Sequence, residues 1–140
     1  MKSEKGFSLI GVVIAMALVG IIAIAFLGGL ANASKTLFIA DERETAKDLA
    51  ESQIEYVKNQ DYIAALEGGE ATYNNIDEPL GYAVMSINRN SETVEEIIGV
   101  PWDTQNNQPS TTDDGIQKVV VVIKHLGKEV IGLESYKVNR

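Results

Sequence analysis

From Phe7 to Ala31 the chain runs 25 residues, FSLIGVVIAMALVGIIAIAFLGGLA, without one charged side chain. As a helix this stretch is about 38 Å long at ~1.5 Å per residue, more than the roughly 30 Å of a bilayer's hydrocarbon core. Lys2, Glu4 and Lys5 precede it, and Lys35, Asp41, Glu42 and Arg43 follow. Lys and Arg at the end of a span are retained on the cytoplasmic side. The expected localisation is therefore a single-pass protein of the cytoplasmic (inner) membrane, with its N-terminus in the cytoplasm and its acidic remainder outside.

Three readings compete for the run. A plain anchor explains its length and flanking charges but gives no role to Gly6-Phe7. A conventional cleaved signal has an apolar stretch of about 7–15 residues before a small-residue site. Ala31-Asn32-Ala33 supplies such a site before Ser34, yet the stretch is too long for that pattern. The third reading is a leader cut at its cytoplasmic edge with the apolar part retained. Gly suits such a cut because a residue without a Cβ lets the backbone enter a protease cleft closely.

The segment Lys5-Gly6-Phe7-Ser8-Leu9-Ile10 resembles the processing site of type IV prepilins and type II secretion pseudopilins. The resemblance implies cleavage after Gly6 and N-methylation of Phe7 by a prepilin peptidase/methyltransferase. It also implies a mature helix that packs in a filament core through Phe7, Leu9, Ile10, Gly11, Val12, Gly28 and Gly29. Other pilin-like subunits, an assembly platform protein and an assembly ATPase are the partners it implies, beside the membrane. The family usually carries Glu at the fifth residue after the cut, where this chain has Gly11. A carboxylate in the membrane is costly unless paired, so its absence eases insertion and removes a docking charge. That departure points either to a minor subunit at a filament tip or to docking by apolar packing alone. Gly20 suits close helix contact in lipid, whereas Gly28-Gly29 is expected to be a place of partial helix melting.

Beyond Ala31 the pattern turns amphipathic. Ile39, Ala46, Leu49, Ala50, Gln53, Ile54 and Val57 recur at three- and four-residue steps, which predicts continuation of the helix to about Asn59. Glu42, Arg43, Glu44 and Lys47 form its solvated face. Gly68-Gly69 and the stretch from Thr72 to Glu78 read as turns. Strands are predicted for Tyr82 to Asn88, Lys118 to Leu126 and Glu129 to Val138, the last two joined in a hairpin through Gly127-Lys128. Val94 to Ile98 fits a short helix or a strand equally, and Gly99 to Gly115 reads as a long loop. The expected fold class is α+β, a long N-terminal helix packed on a small antiparallel sheet, as in pilins. The expected division is a leader at 1–6, a transmembrane or filament-core helix at 7–31, its amphipathic continuation at 32–60 and a β-rich domain at 61–140. The strand ending in Tyr136 to Arg140 also resembles the C-terminus of pilin-like minor subunits.

The formal net charge is −8, and losing a leader with two Lys and one Glu leaves −9 on the mature side chains. A surface of that sign repels phosphate backbones, so nucleic acid is not an expected partner. The chain has no Cys and a single His, His125, which removes thiolate chemistry and the usual zinc constellations. His125 is expected to be a strand-end surface residue. Asp103, Asp113 and Asp114 are weak Ca²⁺ candidates, since they match no defined cage. Trp102 is either a packing anchor for its loop or, with those Asp residues, an exposed contact. No nucleophile with a base and no phosphate loop stands out, so neither catalysis nor a cofactor is expected. The reading that follows is a structural filament subunit; the rival is a membrane-tethered or secreted adhesin-like domain that uses the Gly99 to Gly115 loop and never polymerises.

Overall fold

The computed structural model describes residues 9–140. One helix, α1 (Leu9–Asn59), precedes seven strands: β1 (Ala71–Tyr73), β2 (Tyr82–Ile87), β3 (Thr93–Val94), β4 (Ile97–Asp103), β5 (Gln108–Pro109), β6 (Ile116–His125) and β7 (Lys128–Val138). The chain divides into two compact units, Met1–Ala40 and Asp41–Arg140.

In the first unit, residues 9–40 are helical and every side chain is exposed. Helix propensity allows this state, because Ala and Leu recur along the stretch and no Pro interrupts it. A helix with Ile10, Ile14, Leu18 and Phe26 all more than half exposed needs an apolar surrounding. The expected loosening at Gly28-Gly29 is absent from the isolated chain, where α1 runs through both residues. Hydrogen bonding within the helix is indifferent to the missing side chains, so the two glycines lower its stability without opening it.

The second unit is built on β6. Strand β7 pairs with one edge of β6 along its whole length, and the other edge is shared end to end by β4 at 117–119 and β2 at 121–125. Strand β1 extends the sheet beyond β4, β3 extends it beyond β2, and all pairings are antiparallel. Where β4 hands over to β2, the Ser86 hydroxyl, fully buried, donates to the Val120 carbonyl at 2.8 Å. This satisfies an acceptor buried at the gap between the two strands.

Alternation along β6 sends Val119, Val121 and Ile123 to one face, where they meet Ala46, Ala50 and Val57 of α1. The small Ala46 and Ala50 let the helix approach the valines closely, and Leu49 and Ile54 flank the contact. Each fully buried Val or Ile contributes about 1.5–3 kcal/mol. Gln53 lies in the same buried stripe and replaces a strand for the segment after β1. Its amide donates to the Asn74 carbonyl at 2.9 Å and accepts from the Ile76 amide at 2.8 Å. Gln60 exchanges a second pair with Asn74.

The structure revises several expectations. Residues 99–103 are not loop but most of β4, whose first five residues are buried. A Cβ at Gly99 would lie 2.5 Å from Gln117 Oε1 and 2.7 Å from Tyr73 Cε2, so glycine here makes room for two side chains crossing the strand. The Pro101 carbonyl accepts from the Ser110 amide at 2.8 Å. The edge facing Ser110 is therefore the one that lacks an N–H, and the ladder to β6 loses no donor. Residues 72 and 73, read as turn, belong to β1, and Val94 to Ile98 resolves into strand on both sides of Glu95-Glu96. The β6–β7 turn is Leu126-Gly127, at φ of 50° and 80°, one residue earlier than expected. Positive φ at both central residues suits the right-handed strand twist.

At the far end of α1, the Lys137 ammonium, buried with its side chain, donates to the carbonyls of Val57 and Lys58 at 2.9 Å each and to that of Gln60. Burial holds this lysine below its ordinary pKa, and Asp61 works in the opposite direction. A cation among the last carbonyls of a helix supplies the donors the helix lacks and opposes its dipole. Lys137→Met should lower stability by at least about 2 kcal/mol by leaving several buried carbonyls unmatched. Denaturant unfolding followed by the fluorescence of Trp102, the sole tryptophan, measures it.

Candidate functional site

The residues expected to be processed, Gly6 and Phe7, lie outside the described residues. The expected filament-packing positions Leu9, Ile10, Gly11 and Val12 form the first described turns of α1, with Leu9 83 % exposed. Nothing lies within 4 Å of where a Cβ would stand at Gly11, Gly20, Gly28 or Gly29. The described part of this surface is therefore a smooth apolar cylinder with small-residue gaps. It can pack against lipid or other apolar helices, and it holds no group able to do acid–base or nucleophilic chemistry.

The other candidates fall in the second unit, where Trp102, Asp103 and Asp113 are engaged in contacts within the fold. Trp102 is partly buried beneath the Lys118 ammonium, 4.5 Å from the ring centroid, and its indole N–H donates to Asn107 Oδ1 at 3.3 Å. Lys118 also pairs with Glu134 at 2.7 Å. Asp103 folds back on its own turn. Its carboxyl, held below the usual range by the Asn106 side chain and then by the Asn106 and Gln105 amides, accepts all three.

Asp113 is the centre of a network that sequence reading did not show. Its oxygens accept from the Tyr62 hydroxyl, the Ala65 amide at 2.8 Å, the Gln117 amide group at 2.6 Å and the Gly115 amide at 3.1 Å. Gln117, fully buried, also donates to the Ile63 carbonyl at 2.8 Å and accepts from the Tyr73 hydroxyl at 2.7 Å. Burial alone would push the Asp113 carboxyl up, but these hydrogen bonds, Tyr62 foremost, bring it below its ordinary value. Burial and the Asp113 charge raise Tyr62, and burial raises Tyr73. With four donors on Asp113 and an exposed Asp114, the Ca²⁺ candidates are not assembled as a site. Among the described residues no group of three or more His, Asp or Glu side chains is placed to hold a metal ion.

His125 is not a free surface residue. Its ring stacks on Tyr82 at 4.4 Å between centroids, and Nδ1 lies 2.8 Å from Glu42 Oε1. The pair ties the start of the second unit's helical segment to the end of β6. Glu44 stays exposed, and Lys47 pairs with Glu51 at 3.3 Å within the helix. The one sequence signal for the buried polar set is register: Gln53 falls in the apolar stripe of α1, and Gln117 and Lys137 fall on the inward-facing alternation of β6 and β7. A cleft of about 610 Å³ opens beside β2, lined in part by Glu78, Glu95 and Asn75. Glu78 and Asn75 are spent on the Val84 amide and carbonyl, which blunts the strand's free edge.

With the second unit built as a helix-backed sheet, the first unit carries the class. Residues 1–27 match the prokaryotic N-terminal methylation motif, the signal of type IV pilin-type prepilins. The motif indicates a type IV pilin-like prepilin, and with the exposed apolar helix behind it this fits a precursor anchored in the inner membrane. The signal is that of a structural protein that assembles with other pilin subunits after a prepilin peptidase has acted. No curated protein and no solved structure matches the chain.

The Asp113 network gives a pH dependence with a defined sign. The folded carboxyl is depressed, so the unfolded chain takes up the proton first as pH falls below about 4. The network's contribution is thus complete above that pH and is lost as pH falls through the folded value. Asp113→Asn should lower stability at neutral pH by about 1–3 kcal/mol and flatten the loss of stability as pH falls below about 4. Urea unfolding read by Trp102 fluorescence at several pH values checks both.

Proposed function

We propose that the chain is a structural subunit, a minor pilin or a pseudopilin, of a type IV pilus-like or type II secretion filament. In this reading residues 1–6 are a leader removed after Gly6, and Phe7 becomes the N-methylated first residue. Residues 7–31 are membrane span and later filament core, 32–60 continue the helix, and 61–140 form the displayed domain. The precursor stands with its N-terminus in the cytoplasm, and the mature subunit joins an extracellular or periplasmic filament with the help of a platform protein and an ATPase. The observation that carries the reading is the junction of the methylation motif at 1–27 with a helix whose apolar residues from Leu9 to Ala40 are all exposed. Such a surface is stable first in lipid and then against identical surfaces, and its small residues at Gly11 and Gly20 permit close helix approach.

Gly11 in place of the usual Glu supports a subunit that docks by packing, or one that has no subunit ahead of it. Helix opening at Gly28-Gly29 belongs, in this reading, to the filament and not to the free chain. The rival adhesin-like reading used a free loop from Gly99 to Gly115, and it loses much of that loop to β4 and β5.

Gly6→Leu should leave the chain uncleaved and held in the membrane, at least about tenfold less of it reaching the processed form. Intact and N-terminal peptide mass spectrometry on native membranes reads this directly. A chain beginning at methylated Phe7 in the parent and at Met1 in the variant supports the assignment. Normal processing of the variant overturns it.

A further inference from the structure

Three leucines on the second unit, Leu66, Leu80 and Leu126, are strongly exposed, and the last two stand side by side. Leu80 is 102 % exposed and Leu126 is 81 % exposed. Leu80 occupies the corner of the turn closed by the Tyr82 amide on the Pro79 carbonyl at 3.0 Å, with Gly81 at φ 87°. Leu126 is the first residue of the β6–β7 turn. The two corners adjoin: the Leu126 amide donates to the Gly81 carbonyl at 2.9 Å, and a Cβ at Gly81 would lie 3.7 Å from Leu126 Cδ2.

Leu126 is also in the wrong conformation for its type. Its φ of 50° belongs to the left-handed region, where Asn, Asp or Gly would sit with less strain. A branched apolar side chain held there and exposed costs the fold on both counts, and such outliers persist where the side chain has a use. Lys124 and Lys128 flank the turn, and neither forms an ion pair among the described residues. On a chain of net charge −8, this end combines apolar tips with free ammonium groups.

The place of this tip in the fold identifies its partner. His125, next to Leu126, binds Glu42, the second residue of the unit. The tip therefore lies at the end of the unit where the chain arrives from the uncharged run, with only residues 32–40 between. We infer that Leu80 and Leu126, with Lys124 and Lys128, dock on the headgroup layer of the bilayer that holds the chain's own anchor. Leucine corners enter the layer while lysine ammonium groups meet lipid phosphate, the division of labour of an interfacial anchor. Docking would hold the membrane-bound form in one orientation and would be given up when the subunit leaves the bilayer. The inference rests on reading the uncharged run as the span.

The test uses the full chain, one copy per lipid nanodisc of phosphatidylethanolamine and phosphatidylglycerol carrying a headgroup nitroxide. The chain has no cysteine, so single substitutions accept one fluorophore each. Glu129→Cys reports the tip and Thr104→Cys the opposite end of the sheet, and Val19→Cys reports the span in matching discs whose nitroxide sits within the acyl chains. The label at 129 should be quenched several-fold more than that at 104, and Leu80→Ser with Leu126→Asn should abolish the difference. Because Asn suits φ 50° better than Leu, the double variant should unfold at no lower denaturant concentration, so lost quenching cannot be ascribed to a lost fold. Equal quenching at 129 and 104 with Val19→Cys quenched overturns the docking alone. Quenching at 129 that survives the double variant also overturns it, since tethering would then suffice. Shielding that appears only with two copies per disc assigns the tip to a second subunit and overturns it as well. A Val19→Cys label left unquenched removes the span reading and the docking together.

Discussion

One ammonium group closes the second unit. Lys137 places its Nζ among the carbonyls with which α1 ends, and no other charged side chain in the described chain is buried so completely. A charge in that position is tolerable only because three acceptors surround it and the helix dipole points its negative end there. The consequences spread outward. With the end of α1 fixed on β7, the chain from Gln60 onward must turn back at once, and Gln53, Gln60 and Asp113 receive it. The helix stripe is in turn held in register with Val119, Val121 and Ile123, so core packing and the polar clasp specify the same arrangement.

The polar clasp and the apolar core divide the work differently from a plain helix-on-sheet sandwich. The contact between α1 and the sheet is made by small residues, Ala46 and Ala50, which let the backbone come close but bury little surface of their own. Buried amides and carboxylates make up the remainder. Fully satisfied networks of this kind favour one arrangement over its near neighbours, since each shift leaves a donor or acceptor unmatched.

Much of the fold could be read from periodicity. The end of α1 at Asn59 and the strands β2, β6 and β7 follow from three- to four-residue and two-residue recurrence, both of which are local. Strand β4 could not be read so, because Gly99, Pro101 and Trp102 are the usual marks of a loop. Each is there for a partner outside its own run of residues: Gly99 for Tyr73 and Gln117, Pro101 for Ser110 across the β4–β5 hairpin, Trp102 for Lys118. The same holds for Asp113, whose bonds to Tyr62 and Ala65 span 51 and 48 residues. The N-terminal signal was legible for the opposite reason. A linear motif is written in consecutive residues, so the match at residues 1–27 could be seen without tertiary structure.

The position of Lys137 also sets an order in time. The carbonyls it serves are made 77 to 80 residues before it, and β6, which pairs with β2, β4 and β7, is itself made after two of its partners. During synthesis the apolar run is therefore complete and able to enter lipid while the second unit still lacks both its central strand and the cap of its helix. Long-range pairing of this kind is slow compared with helix formation. Among the described residues, the helix long and apolar enough to cross a membrane is thus finished before the sheet of the second unit can close.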